Sequence, residues 1–170
     1  MIKVYFRNLT DGERSEKFVR DVLAYYYGLS DVQIARTENG KPYLTDGDLQ
    51  FSLSHTDGWI FLAVARGRVG LDAERVDRKT DFSAIVKKYP VLGEFDCKTP
   101  SDFVRLWTVV ESNVKRVGGR LLDGLRKLRA FNGELVFENE PPAWTKTKII
   151  EDFFVSVSAD CPDEVCFITV

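Results

Sequence analysis

An α+β fold with two similar halves is the architecture this sequence predicts. Alternating or apolar runs of strand length recur at residues 2–6, 32–36, 49–54, 59–66 and 69–74, with one helical pattern among them. After a charged connector at residues 74–81 the pattern turns helical, then strand-like a second time. Turn chemistry punctuates both parts, because Asn39-Gly40, Asp57-Gly58 and Asn132-Gly133 suit tight hairpins. No residue-level repeat relates the halves, so their similarity lies in element order alone.

Residues 2–6 read as a first strand. A helix is expected from about Asp11 to Tyr27, with Phe18, Val22, Leu23 and Tyr26 on one face and Gly28 as its stop. Lys41 and Pro42 follow the Asn39-Gly40 turn directly, so a lysine stands at a rigid corner. Beyond the connector, Phe82, Ile85, Val86 and Tyr89 make a short amphipathic helix stopped by Pro90, and residues 91–98 are irregular. The next helix is the clearest of the chain. Thr99 caps it, Pro100 suits its first position, and Asp102 completes a capping box. Phe103, Leu106, Val110, Val114 and Val117 recur at helical spacing on its core face, and Gly118-Gly119 ends it. Strands are expected at residues 127–131, 134–138, 153–158 and 165–170, with Pro141-Pro142 marking a loop.

Composition bounds the function. A chain of 170 residues makes one compact domain or two small halves sharing a core. It is 44% hydrophobic and 29% charged, as in an ordinary globular protein. A net charge of −2 argues against a nucleic-acid binder working through a basic field. The longest apolar run, residues 59–65, is too short to span a bilayer, and the N-terminal segment alternates like a strand instead of a signal peptide. Cys97, Cys161 and Cys166 are odd in number and in no zinc-ligand spacing, which suits reduced structural cysteines. A cytoplasmic protein, with neither nucleic acid nor membrane as partner, is expected.

Residues 51–74 concentrate the chemistry. They hold the one histidine, His55, beside Ser54, and end in Asp72-Ala73-Glu74. In an extended strand Asp72 and Glu74 share a face, where two carboxylates repel unless a cation stands between them. Such oxygen pairs suit Mg²⁺. On the long helix Trp107, Glu111 and Lys115 are spaced by four and share one face. A lone Glu–Lys pair there is ordinarily a surface ion pair worth a few tenths of a kcal/mol. Beside Asp72 and Glu74 it supplies a third carboxylate and a cation for phosphate.

The order Gly40-Lys41-Pro42, Phe51-Ser52-Leu53-Ser54-His55-Thr56, Val69-Gly70-Leu71-Asp72-Ala73-Glu74, and Leu106-Trp107-Thr108-Val109-Val110-Glu111-Ser112 with Lys115 resembles the 4′-phosphopantetheinyl transferases. The likeness is to the monomeric type of two pseudo-symmetric α/β halves, since the small trimeric synthases carry their first metal aspartate near the N-terminus. It covers residues 40 to about 121, and four motifs in this order are specific.

The resemblance implies halves at residues 1–76 and 77–170, in one compact pseudo-dimeric unit with the active site between them. It implies transfer of the 4′-phosphopantetheine arm of coenzyme A, the donor substrate, to a serine of an apo acyl or peptidyl carrier protein, with release of 3′,5′-ADP. Asp72, Glu74 and Glu111 would hold Mg²⁺. Glu111 and Lys115 would be catalytic, and Lys41, Pro42, Ser54, His55 and Lys115 would bind coenzyme A. A monomer is expected. The family helix usually carries a lysine where this chain has Val110, which makes a weakened coenzyme A- or carrier-binding module the alternative. If Val110 only borders the cleft, Val110→Lys should speed transfer. The helix carrying Phe82, Ile85, Lys87 and Lys88, with residues 91–98, is the expected carrier-facing surface.

Overall fold

The computed structural model describes residues 1–9 and 12–170. Strand β1 (Ile2–Asn8) leads into helix α1 (Ser15–Tyr27), whose expected start at Asp11 lies outside the described residues. Arg14 is its extended N-cap, and Gly28, with φ 69°, closes it in the left-handed conformation that a Cβ disfavours. Strands β2 (Ile34–Arg36) and β3 (Pro42–Leu44) form the Asn39-Gly40 hairpin. Strands β4 (Gln50–Thr56), β5 (Trp59–Ala65) and β6 (Val69–Arg75) follow, with Asp57 and Gly58 both at positive φ in the tight β4–β5 turn.

Helix α2 (Phe82–Lys88) is capped by the Asp81 side chain, and a 3₁₀ turn (Pro90–Glu94) replaces part of the expected irregular segment. Helix α3 (Pro100–Val117) has the expected Thr99–Asp102 capping box and ends at Gly118 with φ 71°. The hairpin of β7 (Leu128–Phe131) and β8 (Glu134–Phe137) precedes the long strands β10 (Phe153–Ala159) and β11 (Val165–Thr169).

Two further elements escape the sequence patterns. Helix α4 (Leu121–Lys127) contains Gly124, a poor helix former. A Cβ at that position would collide with the Val114 side chain, so packing explains the glycine. Strand β9 (Trp144–Ile150) alternates threonine with lysine, so its apolar content is too low to mark it. It is the outer strand of its sheet, where exposed lysines discourage further pairing.

One sheet has the order β11-β1-β5-β4 and the other β6-β10-β9. Pairing therefore crosses residue 76 in both directions: β6 joins β10, and β11 lies parallel to β1. Between the sheets Val4, Phe6, Phe61, Leu71, Phe153 and Val155 form one core. On the far face of the first sheet Tyr5, Ile60, Leu62 and Val64 pack against Phe18, Val22 and Leu23 of α1. Full burial of such side chains is worth about 1.5–3 kcal/mol each. The β5 run is continuously apolar because both its faces are covered. A third cluster joins Phe103, Val110 and Val114 of α3 to Leu92, Leu125, Leu128 and Phe137.

The other side of α3 meets β9 and β10 through hydroxyls. Thr108 contacts Ser156 at 2.8 Å, and Ser112 contacts Ser158 at 2.7 Å. Asn113 donates to Ser158 and to Thr145. Apart from the half-buried Thr145 these polar groups are buried, and they satisfy one another, so the helix lies close to the sheet without a layer of large side chains. No described helix is long and apolar enough to cross a membrane.

Candidate active site

Strand β6 carries Asp72 and Glu74 at the junction of the two sheets. One of its edges pairs with β10 through backbone hydrogen bonds. Toward β4, serine hydroxyls substitute for a partner backbone. Leu71 N donates to Ser52 Oγ at 3.0 Å and Ala73 N to Ser54 Oγ at 3.1 Å. Ser54 Oγ in turn donates to Asp72 Oδ1 at 3.0 Å. This role of Ser52 and Ser54 was not anticipated from sequence. Its one trace there is their period-2 spacing in Phe51-Ser52-Leu53-Ser54, which puts both hydroxyls on one face.

Asp72 is buried, and Lys115 Nζ of α3 donates to its Oδ1 at 2.6 Å. Its second oxygen, Oδ2, is buried with no hydrogen-bond partner. Burial raises the Asp72 pKa, against the opposing charge of Lys115. Glu74 accepts from Thr56 Oγ1 at 3.3 Å and pairs with Arg78. Its pKa is raised by burial and then by the charge of Asp72. Glu111 is half-buried, and burial together with the charge of Asp72 pushes its pKa up to about 7. Three carboxylates thus share one electrostatic neighbourhood, drawn from elements as distant in sequence as β6 and α3.

The remaining expected residues lie elsewhere. His55 is exposed near the end of β4, two residues before Asp57. Lys41 Nζ donates to the Val69 and Arg116 carbonyls at 3.2 Å each, tying the β2–β3 hairpin to the end of α3. Burial lowers its pKa to about 8, helped by the nearby Arg68 and Arg116 charges. Pro42 begins β3 and pairs with Arg36. Val110 is fully buried in the third cluster at 0% exposure, so it has no access to the carboxylates. On α2, Phe82 and Ile85 turn inward onto the same cluster, while Lys87 and Lys88 are exposed. The three cysteines are free. Cys97 packs against the third cluster, but Cys161 and Cys166 are exposed instead of structural.

The donor set suits a hard cation such as Mg²⁺ by its chemistry, since every candidate ligand is a carboxylate oxygen. The unpartnered Asp72 Oδ2 is the specific observation in favour, because a buried lone acceptor is costly unless something binds it. Among the described residues, however, no three His, Cys, Asp or Glu side chains stand in an arrangement that would hold a metal ion together. In this arrangement Lys115 and Arg78 neutralise Asp72 and Glu74.

Comparison with known proteins gives a consistent set of relatives. The chain is 30% identical to the 4′-phosphopantetheinyl transferase gsp of Aneurinibacillus migulanus over 127 residues, covering 68% of this chain and 52% of that protein. It is 28% identical to the 4′-phosphopantetheinyl transferase Sfp of Bacillus subtilis (strain 168) over 167 residues, covering 85% and 71% respectively. The 4′-phosphopantetheinyl transferase psf-1 of Bacillus pumilus is 30% identical over 138 residues, covering 74% and 58%. The chain thus spans about half of the first relative and 71% of the second. No family model matches it.

Proposed function

The chain belongs to the 4′-phosphopantetheinyl transferase superfamily, and from that premise we propose that it is an active transferase of this kind. The proposed reaction moves the 4′-phosphopantetheine arm of coenzyme A to a serine of an apo acyl or peptidyl carrier protein. It depends on Mg²⁺ and releases 3′,5′-ADP. The observation that carries the reading is Asp72, buried between Ser54 and Lys115 with one oxygen unpartnered and Glu111 nearby.

Asp72, Glu74 and Glu111 would hold the Mg²⁺. When bound, the ion would neutralise charge on the donor's pyrophosphate and polarise the attacked phosphorus. Glu111 is also proposed to take the serine proton, directly or through a water. Lys115 is held toward the carboxylates and offers its ammonium group to phosphate oxygens as their charge develops. Ser54 orients Asp72 through the bond to Oδ1. His55 is exposed on β4 and is proposed, with Lys41 and Pro42, to meet the anionic donor. The halves at residues 1–76 and 77–170 would enclose the site as one pseudo-dimeric monomer. Free thiols, two of them exposed, suit a reducing compartment, so the proposed location is the cytoplasm.

A second reading, a weakened module that binds coenzyme A or a carrier, is favoured by Val110. Its full burial leaves no cation at the position where the family usually has a lysine. Incubation with coenzyme A, Mg²⁺ and several apo-carriers separates the readings. A carrier gaining the mass of the arm supports the transferase. Binding of coenzyme A with no mass gain on any carrier supports the module.

A further inference from the structure

We infer that Arg78 is part of the candidate metal site, as an internal counter-ion that limits how tightly Glu74 takes a divalent cation. The inference rests on the reading of Asp72, Glu74 and Glu111 as ligands of that cation.

The two strand carboxylates are not equally available. Asp72 has one oxygen engaged by Ser54 and Lys115 and the other free. Glu74 has both engaged: Oε2 accepts from Thr56, and Oε1 accepts from Arg78 Nη1 in a close ion pair. Thr56 is a small obstacle, because its hydroxyl is neutral and a carboxylate oxygen has more than one lone pair. Arg78 is different. It brings a permanent positive charge into contact with the oxygen a second cation would need, and the two cations repel.

The geometry also lets Arg78 leave. It sits four residues after Glu74, just beyond the end of β6, with its side chain 43% exposed against 15% for Glu74. The guanidinium can turn into solvent without being dragged through the core. Arg75, one residue from Glu74, does not compete. It is bound to Asp77 at 2.9 Å and lies beside Asp57 at 3.6 Å. Lys115 serves Asp72 from another element and leaves Oδ2 open. With Arg78 in place, three carboxylates face two cations. With a divalent cation in its place, the three carboxylates are neutralised by that ion and Lys115. Arg78 is then free at the lip of the site to pair with an anionic phosphate, so phosphate and metal would favour each other by reciprocal linkage.

The test is calorimetric titration of Mn²⁺ into the full chain without substrate. Arg78→Gln should bind Mn²⁺ about two- to fivefold tighter than the wild type, the range expected for losing a partly exposed ion pair. Arg78→Lys, which keeps the charge, should return most of the way to wild type, and Arg75→Gln should match wild type. Unchanged or weaker Mn²⁺ binding by Arg78→Gln overturns the inference. Glu74→Gln tests the reading beneath it. If that variant binds Mn²⁺ as the wild type does, Glu74 is not a ligand, and the metal assignment fails together with the role of Arg78.

Discussion

Gly70 and Ser112 meet backbone to backbone: a Cβ on Gly70 would fall on the Ser112 carbonyl oxygen and crowd the Arg116 amide. Helix α3 therefore rests on β6 at a glycine, and this contact sets the depth at which Glu111 and Lys115 face Asp72. Gly70→Ala should cost about 3 kcal/mol by overpacking, since neither backbone can yield cheaply. It should also weaken Mn²⁺ binding, because the helix must lift from the strand. A urea melt with a Mn²⁺ titration checks both. An unchanged melt would mean that α3 has room to shift.

Val110→Lys separates burial from catalysis. Val110 is at 0% exposure in the third cluster. The acceleration expected from sequence assumed that a lysine stem could run along the apolar stripe to the cleft. Full burial removes that route. The variant should lose on the order of 3–5 kcal/mol of stability, the scale of an uncompensated buried charge. Single-turnover transfer should not rise above wild type. A stable variant with faster transfer would restore the sequence-based expectation.

Asp72→Ala and Glu111→Ala should abolish transfer while changing stability by about 1 kcal/mol or less, small on the usual scale of single substitutions. Burial already opposes ionisation of both groups, so their removal relieves a cost of folding. Lys115, with its side chain 31% exposed, stays hydrated without Asp72. Wild-type turnover in either variant would remove that residue from the mechanism.

Lys41 gives a pH signature. Its folded pKa is lowered to about 8 from 10.5, chiefly by burial. In the window between these values the unfolded chain binds the extra proton, so stability from this group rises with pH. It is fully present above 10.5 and is lost as pH falls through about 8. The difference in unfolding free energy between wild type and Lys41→Met should therefore shift in favour of wild type as pH rises from 8 to 10. A pH-independent difference would mean that burial does not depress the Lys41 ammonium in the folded chain.

The local signals of the sequence were sufficient for most elements, because they act within a few residues. Thr99 and Asp102 cap α3 across one helical turn, Gly28 and Gly118 supply the positive φ that ends two helices, and Asp57-Gly58 closes a hairpin. The motif order around Asp72 and Glu111 was legible for the same reason, since each motif is a short run of residues. What the tertiary structure decided is how each polar atom is used. Ser54 turns to Asp72 from 18 residues away, and Lys115 from 43. Lys41 turns to a carbonyl 75 residues away, and Ser112 to a hydroxyl 46 residues away. Composition gives no hint that Ser112, Ser156 and Ser158 form a buried seam, because a serine is equally at home on a solvated surface. The same holds for α4 and β9, whose weak intrinsic patterns are overridden by the surfaces they cover. Burial and hydrogen-bond satisfaction depend on neighbours brought together only by the fold, and they assigned these residues their roles.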